Sequence, residues 1–150
     1  MSRTISQSIE IKRHQEKIFK DLLHPSAIME WWGAKIAIVN KKENGIYTVS
    51  WGDNIDDPDY ITVSWIRKFN FPNGFDLEYD SYYAKTGSLP FKAIMNVQFS
   101  ISPINEVMCE VKVLQTGIPS EKIADEYYQG CQVGWQQVLK NLKQFCEKEN

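Results

Sequence analysis

Seven short segments of this chain carry apolar residues at every second position, while a single long segment carries an apolar stripe at helical spacing. That imbalance constrains the fold more than any motif does. A period of two marks a strand with one buried face. Seven such strands predict an antiparallel sheet with one side to cover. The only long cover is the C-terminal segment, and a helix is ~10 Å across, narrower than a twisted seven-stranded sheet. The sheet must therefore curl. The expected architecture is α+β: a curved seven-stranded antiparallel sheet wrapped around a long C-terminal helix, in one domain over residues 1–150.

Along the chain, Ile5, Ile9 and Ile11 define the inward face of the first strand, with Gln7 in phase. Ile18, Phe19, Leu22 and Leu23 predict a helix over 15–23. His24-Pro25 ends it, because proline disfavours helical backbone in the residue before it. A second short helix, 25–31, starts with Pro25 in its first turn. Strands follow: Ile36 and Ile38 on one face; a turn at Asn44-Gly45; then Tyr47, Val49 and Trp51. After an acidic loop, Asp53 to Asp59, the row Ile61, Val63, Trp65, Phe69 and Phe71 is expected to face inward, with Arg67 in the same phase. Phe75, Leu77 and Tyr79 form the next row, then Phe91 through Ile101 at every second residue, then Val107, Cys109, Val111 and Val113. The last helix is expected over 120–147, capped by Ser120, with Ile123, Tyr127, Cys131, Gly134/Trp135, Val138, Leu142 and Phe145 as its stripe.

A curled sheet around one helix encloses volume, and large side chains either fill it or line it. Aromatic residues make up 13% of the chain, five of them Trp, seven Tyr and seven Phe, more than a minimal core requires. Gly130 and Gly134 lie on the helix stripe, although each glycine costs a helix about 1 kcal/mol relative to alanine. They allow either a close strand approach or room for a ligand. Arg67, in inward phase, sits at the mouth, is turned outward by a bulge, or faces an anionic partner, since a buried unpaired guanidinium is costly. The candidate lining is Trp31 from the second helix and Trp51 from the third strand, with Trp65, Arg67 and Phe69 from the fourth. Tyr79 comes from the fifth, Met95 and Phe99 from the sixth, Cys109 and Val111 from the seventh. The final helix adds Tyr127, Cys131, Gly134, Trp135 and Val138. Trp31-Trp32 is either a lid anchor at the mouth or a staple holding the short helix to the sheet.

Other chemistry is not indicated. A net charge of −2 gives no basic field for nucleic acid or an anionic membrane. No apolar run approaches the ~20 residues of a membrane span, and the N-terminus enters a strand without a signal-peptide core. Cys109, Cys131 and Cys146 lack metal-type spacing and read as reduced thiols of a cytoplasmic protein. Asp53, Asp56, Asp57 and Asp59 lack the glycine and the closing glutamate of a calcium loop. His14 and His24 fall at helix ends, where His24 as a cation would favour a helix C-terminus. No nucleophile elbow, phosphate loop or dinucleotide fingerprint is present. No cofactor or metal is expected.

Several words of the sequence resemble the START-like (SRPBCC) superfamily with its helix-grip fold, and within it the homologues of the heat-shock protein 90 ATPase activator's C-terminal domain. They are Ile18-Phe19, Ile28-Met29-Glu30-Trp31-Trp32, Gly45-Ile46-Tyr47, Thr116-Gly117-Ile118-Pro119 and the run from Gly134 to Leu142. The resemblance implies a deep apolar cavity between sheet and final helix, small hydrophobic ligands, and a possible chaperone partner. The acidic insertion Asp53–Asp59 and Tyr82-Tyr83 depart from the pattern and are expected to reshape the cavity mouth. The leading expectation is a non-catalytic binder of a small apolar ligand with an acidic or polar head, monomeric or weakly dimeric. The alternatives are a chaperone-contacting module and a polyketide cyclase or aromatase-like enzyme. The enzyme would require Gln7, Arg67, Tyr79 and Gln115 to converge.

Overall fold

The computed structural model describes residues 1–148. In chain order the elements are β1 (Ser2–Ile11), α1 (Gln15–Leu23), α2 (Pro25–Trp31), β2 (Ile36–Val39), β3 (Ile46–Trp51), β4 (Tyr60–Asn70), β5 (Gly74–Ala84), β6 (Asn96–Asn105), β7 (Met108–Pro119), a 3-10 turn Lys122–Ala124 and α3 (Asp125–Lys148). All seven strands form one antiparallel sheet in the order β1-β7-β6-β5-β4-β3-β2. At 24 residues and ~1.5 Å per residue, α3 is long enough to cross the sheet; it packs on β1 and against α2.

The two short helices follow their periodicity. Ile18, Phe19, Leu22 and Leu23 of α1 are buried, as are Ala27, Ile28 and Trp31 of α2. The His24 side chain serves the start of α2 rather than the end of α1. Its Nδ1 accepts from the Ser26 N–H at 3.3 Å and so caps the start of α2, because Pro25 leaves the next free donor within reach of the ring.

At one end of the sheet the core is solid. Phe19 meets the edges or faces of Phe69, Phe71 and Phe75 at ring separations of 5.1–5.9 Å. Phe75 continues to Phe99, and Phe99 to Trp135. Tyr47, buried behind this cluster, donates its hydroxyl to the Leu22 carbonyl at 2.8 Å and ties α1 to β3.

Strand β4 reverses the expected phase. Tyr47 pairs with Ser64, Val49 with Thr62 and Trp51 with Tyr60. Partners directly opposite one another share a face, so Tyr60, Thr62, Ser64 and Ile66 point inward. Ile61, Val63, Trp65 and Arg67 point to the convex outer side. Ser64 and Ile66 are buried, whereas Trp65 and Arg67 are only half-buried. Phe69 returns inward because the register shifts between Arg67 and Asn70, where Lys68 takes φ +45°. A second shift leaves Asp80 of β5 unpaired, so Tyr79 (opposite Ser64) and Tyr82 (opposite Thr62) both face inward although three residues apart.

Smaller departures have local causes. In β2, Ala37 faces the core and Ile38 is 57% exposed, since Ala37 pairs with inward Val49. The Asn44-Gly45 signal lies in a six-residue connection rather than a two-residue hairpin. Residues 91–95 leave the ladder before β6 begins, and Ile94 is 77% exposed. There Gly117, at φ +88°, lies so close to the Ile94 carbonyl that any Cβ would collide with it. Val107 is exposed in a turn closed by its N–H on Asn105 Oδ1. Ser120 does not cap α3; its hydroxyl bonds the Met1 carbonyl, and Ile123 is exposed.

Candidate functional site

Beyond the solid end, sheet and helix part to leave a cleft of about 880 Å³. Its floor and walls come from the inner face of β3–β5, the tip of β7, the loop 86–90, Trp32 after α2, and the first half of α3. The void has two local causes. On the sheet, β4 turns Thr62 toward the cleft and Val63 and Trp65 outward, so a small side chain stands where a large one was expected. On the helix, a Cβ added at Gly130 or Gly134 would meet no atom within 4 Å. Both glycines border the cleft; no strand approaches them, and the space they leave is open.

Of the residues expected to line a cavity, Trp51, Tyr79, Tyr127, Cys131, Gly134, Trp135 and Val138 do so. The others lie elsewhere. Trp31 is buried beneath its neighbour, its indole N–H on the Asp21 carbonyl at 2.8 Å. It staples α2 to α1, and Trp32, stacked on it at 5.2 Å, is the member facing the cleft. Trp65 and Arg67 are on the convex side for the register reason given above; Arg67 is paired with Glu78 at 2.9 Å and with Asn44 Oδ1. Phe69 belongs to the Phe19 cluster. Phe99 and Val111 are core, and Met95 lies behind the floor, where its sulfur accepts weakly from Gln115. Cys109 is at the far end, its thiol near the Arg13 carbonyl.

The cleft also uses residues outside that set: Trp32, Tyr60, Thr62, Tyr82, Gln115 and Glu126. Gln115 had a visible signal, since it continues the inward phase of Cys109, Val111 and Val113 as the one polar member. Tyr82 was expected only to reshape the mouth, because the bulge at Asp80 that turns it inward has no marker in the sequence.

The floor is a directed hydrogen-bond chain. The Trp135 indole can only donate, and it donates to Gln115 Oε1 at 2.8 Å. This fixes the carboxamide, so Gln115 Nε2 donates onward to the Tyr127 hydroxyl oxygen at 3.3 Å. The Tyr127 proton is then directed toward Cys131 or the cleft. Tyr79, beside them, has no hydrogen-bond partner for its hydroxyl among the described residues. Burial pushes the Tyr79 and Tyr127 phenols well above their ordinary range; the nearby Cys131 thiol adds to the rise at Tyr79, and Tyr79 followed by Cys131 adds to it at Tyr127. Burial likewise raises Cys131, against hydrogen bonds from Tyr127 and Gln115 that lower it. At neutral pH the floor is therefore uncharged and presents donors, not a nucleophile. At the rim, Lys85 is held by Asp57 at 2.8 Å and Asp59 at 3.4 Å, so the acidic loop folds over to the end of β5. Of the four side chains an enzymatic reading required, Tyr79 and Gln115 reach the cleft. Arg67 does not, and Gln7 bonds the Gln132 carbonyl outside it.

With this geometry, residues 12–147 match the family described as activator of Hsp90 ATPase homolog 1-like protein. The chain belongs to that family. Among solved structures, a protein from Mesorhizobium loti is similar at 16% identity, covering 99% of each chain with a TM-score of 0.79. A Chromobacterium violaceum protein matches at 16% identity over 97% of this chain and 99% of its own, TM-score 0.73. A third, described as an HSP90 activator from Plasmodium falciparum, matches at 14% identity over 93% of this chain and 92% of its own, TM-score 0.70. At such identities the likeness establishes the shared helix-grip fold. No curated protein matches the chain in sequence. In this member of the activator-like family, no helix among the described residues is long and apolar enough to cross a membrane.

Proposed function

We propose that this protein binds a small amphipathic ligand in the cleft between β3–β5 and α3, without chemical conversion. The observation that carries the reading is the void itself. Two helical glycines with open space where their side chains would be share the cleft with a strand that turns the small Thr62 inward, and the resulting volume suits a drug-sized molecule. The walls are largely aromatic and the floor offers uncharged hydrogen-bond donors, which suits an apolar body with a neutral acceptor at its inner end. The raised phenols and thiol are poorly placed for general-base or nucleophilic work near pH 7, which disfavours the cyclase-like alternative. Cys109 and Cys131, thiols outside any disulfide, fit a reducing, cytoplasmic setting.

The test is titration with Nile red, a neutral solvatochromic dye, followed by native mass spectrometry. Saturable uptake of one dye per chain with a blue-shifted emission supports the reading. Emission that stays at its aqueous value throughout the titration overturns it.

A second reading, an Hsp90-contacting module, has its own observation. The convex side of the sheet carries Ile38 and Tyr83, which are exposed, and Ile61, Val63 and Trp65, which are half-buried, and apolar surface of this kind marks partner contacts. The Plasmodium falciparum relative points the same way. Measuring Hsp90 ATPase rates with the wild-type chain and with Trp65→Ser decides it: no change with either excludes the role.

A further inference from the structure

Resting on the ligand-binding reading, we infer that the cleft selects for positive charge: its ligand is an organic cation, an amine or quaternary ammonium on an apolar body, rather than a carboxylate or other anion. One of the three placements the sequence left open for Arg67 pointed the other way, toward an acidic head. In the structure Arg67 lies on the opposite side of the sheet, neutralised by Glu78. The charged side chains in the wall are two carboxylates, Asp59 on the sheet side and Glu126 on the helix side, and no lysine, arginine or histidine of the described residues lines it. Lys85 at the rim is shared by Asp57 and Asp59, a group that keeps a net negative charge, while Glu126 has no ion-pair partner among the described residues.

The aromatic rings add to the same preference. Tyr82 and Tyr127 meet at 85° with centroids 6.5 Å apart, and Trp32 and Trp51 meet at 77° and 5.3 Å. Each pair forms a corner of near-perpendicular walls on the one cleft. Aromatic faces attract a cation through the ring quadrupole, and rings set at right angles can contact one ammonium from two sides. An anion would meet the same faces repulsively and would lose hydration with no basic group to replace it. The uncharged donors of the floor, Tyr79 and Tyr127, do not supply such a charge.

The experiment uses three probes with one apolar body: naphthylmethyl-trimethylammonium, naphthylmethanol and naphthylacetate, each titrated calorimetrically into the full chain at low and at 0.5 M salt. The expected order is cation, alcohol, acid, with the cation at least about ten-fold tighter than the acid at low salt. That ratio should shrink at high salt, because Glu126 and Asp59 are exposed and screened. Glu126→Gln should lower the cation-to-acid ratio at least about three-fold, while Glu110→Gln, on the outer side of β7, should leave it unchanged. Binding of the alcohol with an equal or tighter acid overturns the charge inference and leaves ligand binding standing. Failure of all three to bind, together with failure of Nile red, overturns both.

Discussion

The indole nitrogen of Trp135 and the Oε1 atom of Gln115 are 2.8 Å apart, and both residues are almost fully buried, at 6% and 1% exposure. This bond joins α3 to β7 at the floor of the cleft and sets the direction of the onward bond from Gln115 Nε2 to the Tyr127 hydroxyl. Replacing Gln115 by Leu leaves the Trp135 N–H unpaired in an apolar setting, which costs about 1–3 kcal/mol. Urea unfolding is expected to show that loss, with the slope unchanged. Gln115→Glu keeps an acceptor for Trp135 and removes the amide donor to Tyr127, and is expected to recover part of the loss at a pH where the carboxyl is protonated.

Gly134 offers a test in which stability and binding move in opposite directions. It lies inside a continuous helix, yet a Cβ there touches nothing. Gly134→Ala is expected to raise the unfolding free energy by about 1 kcal/mol through helix propensity alone. Gly134→Phe projects a ring into the cleft and is expected to weaken Nile red uptake at least about ten-fold, without lowering the melting temperature. A Phe variant that binds dye as tightly as wild type would place the dye elsewhere.

Arg67 is expected to matter little. Its partner Glu78 and it are 39% and 41% exposed, and exposed ion pairs are worth about 0–1 kcal/mol. Arg67→Ala should change stability by less than about 1 kcal/mol and leave dye affinity within error. A large loss of affinity in the fluorescence titration would contradict the outward placement of β4's odd residues.

The C-terminal end of α3 should loosen in acid. Glu147 accepts from Lys143 Nζ and from the Lys12 N–H, each at 2.8 Å, while Lys143 also reaches the Glu10 carbonyl. The Lys143 hydrogen bond, followed by that of Lys12, holds the Glu147 carboxyl below its ordinary range. A carboxyl lowered on folding contributes stability above its unfolded value of about 4.3, and that contribution disappears as pH falls through the lower folded value. Amide exchange at the end of α3 is therefore expected to speed up below that window. Glu147→Gln should remove this pH dependence and leave the rest of the helix protected.

Much of this molecule is legible in its sequence. Period-two alternation gave the seven strands, and the His24-Pro25 break separated α1 from α2 at the boundaries observed. The spacing from Tyr127 to Phe145 gave the one long cover. The cleft-facing part of that cover was also readable: Tyr127, Cys131, Gly134, Trp135 and Val138 follow helical geometry, where one face is fixed by local backbone.

What only the tertiary structure decided is which side of β4 faces in. Ile61, Val63 and Trp65 are the more apolar row, and burial by composition alone would turn them to the core. Pairing with Tyr47, Val49 and Leu77 on the neighbouring strands fixes the opposite phase, because a strand cannot choose its face independently of the register of its partners. That single choice moves Trp65 and Arg67 outside, places Thr62 and Ser64 inside, and leaves the void that the bulge at Asp80 then lines with Tyr79 and Tyr82. Strand periodicity is a local property of the chain; register and bulge position are set by the balance of contacts across the whole sheet.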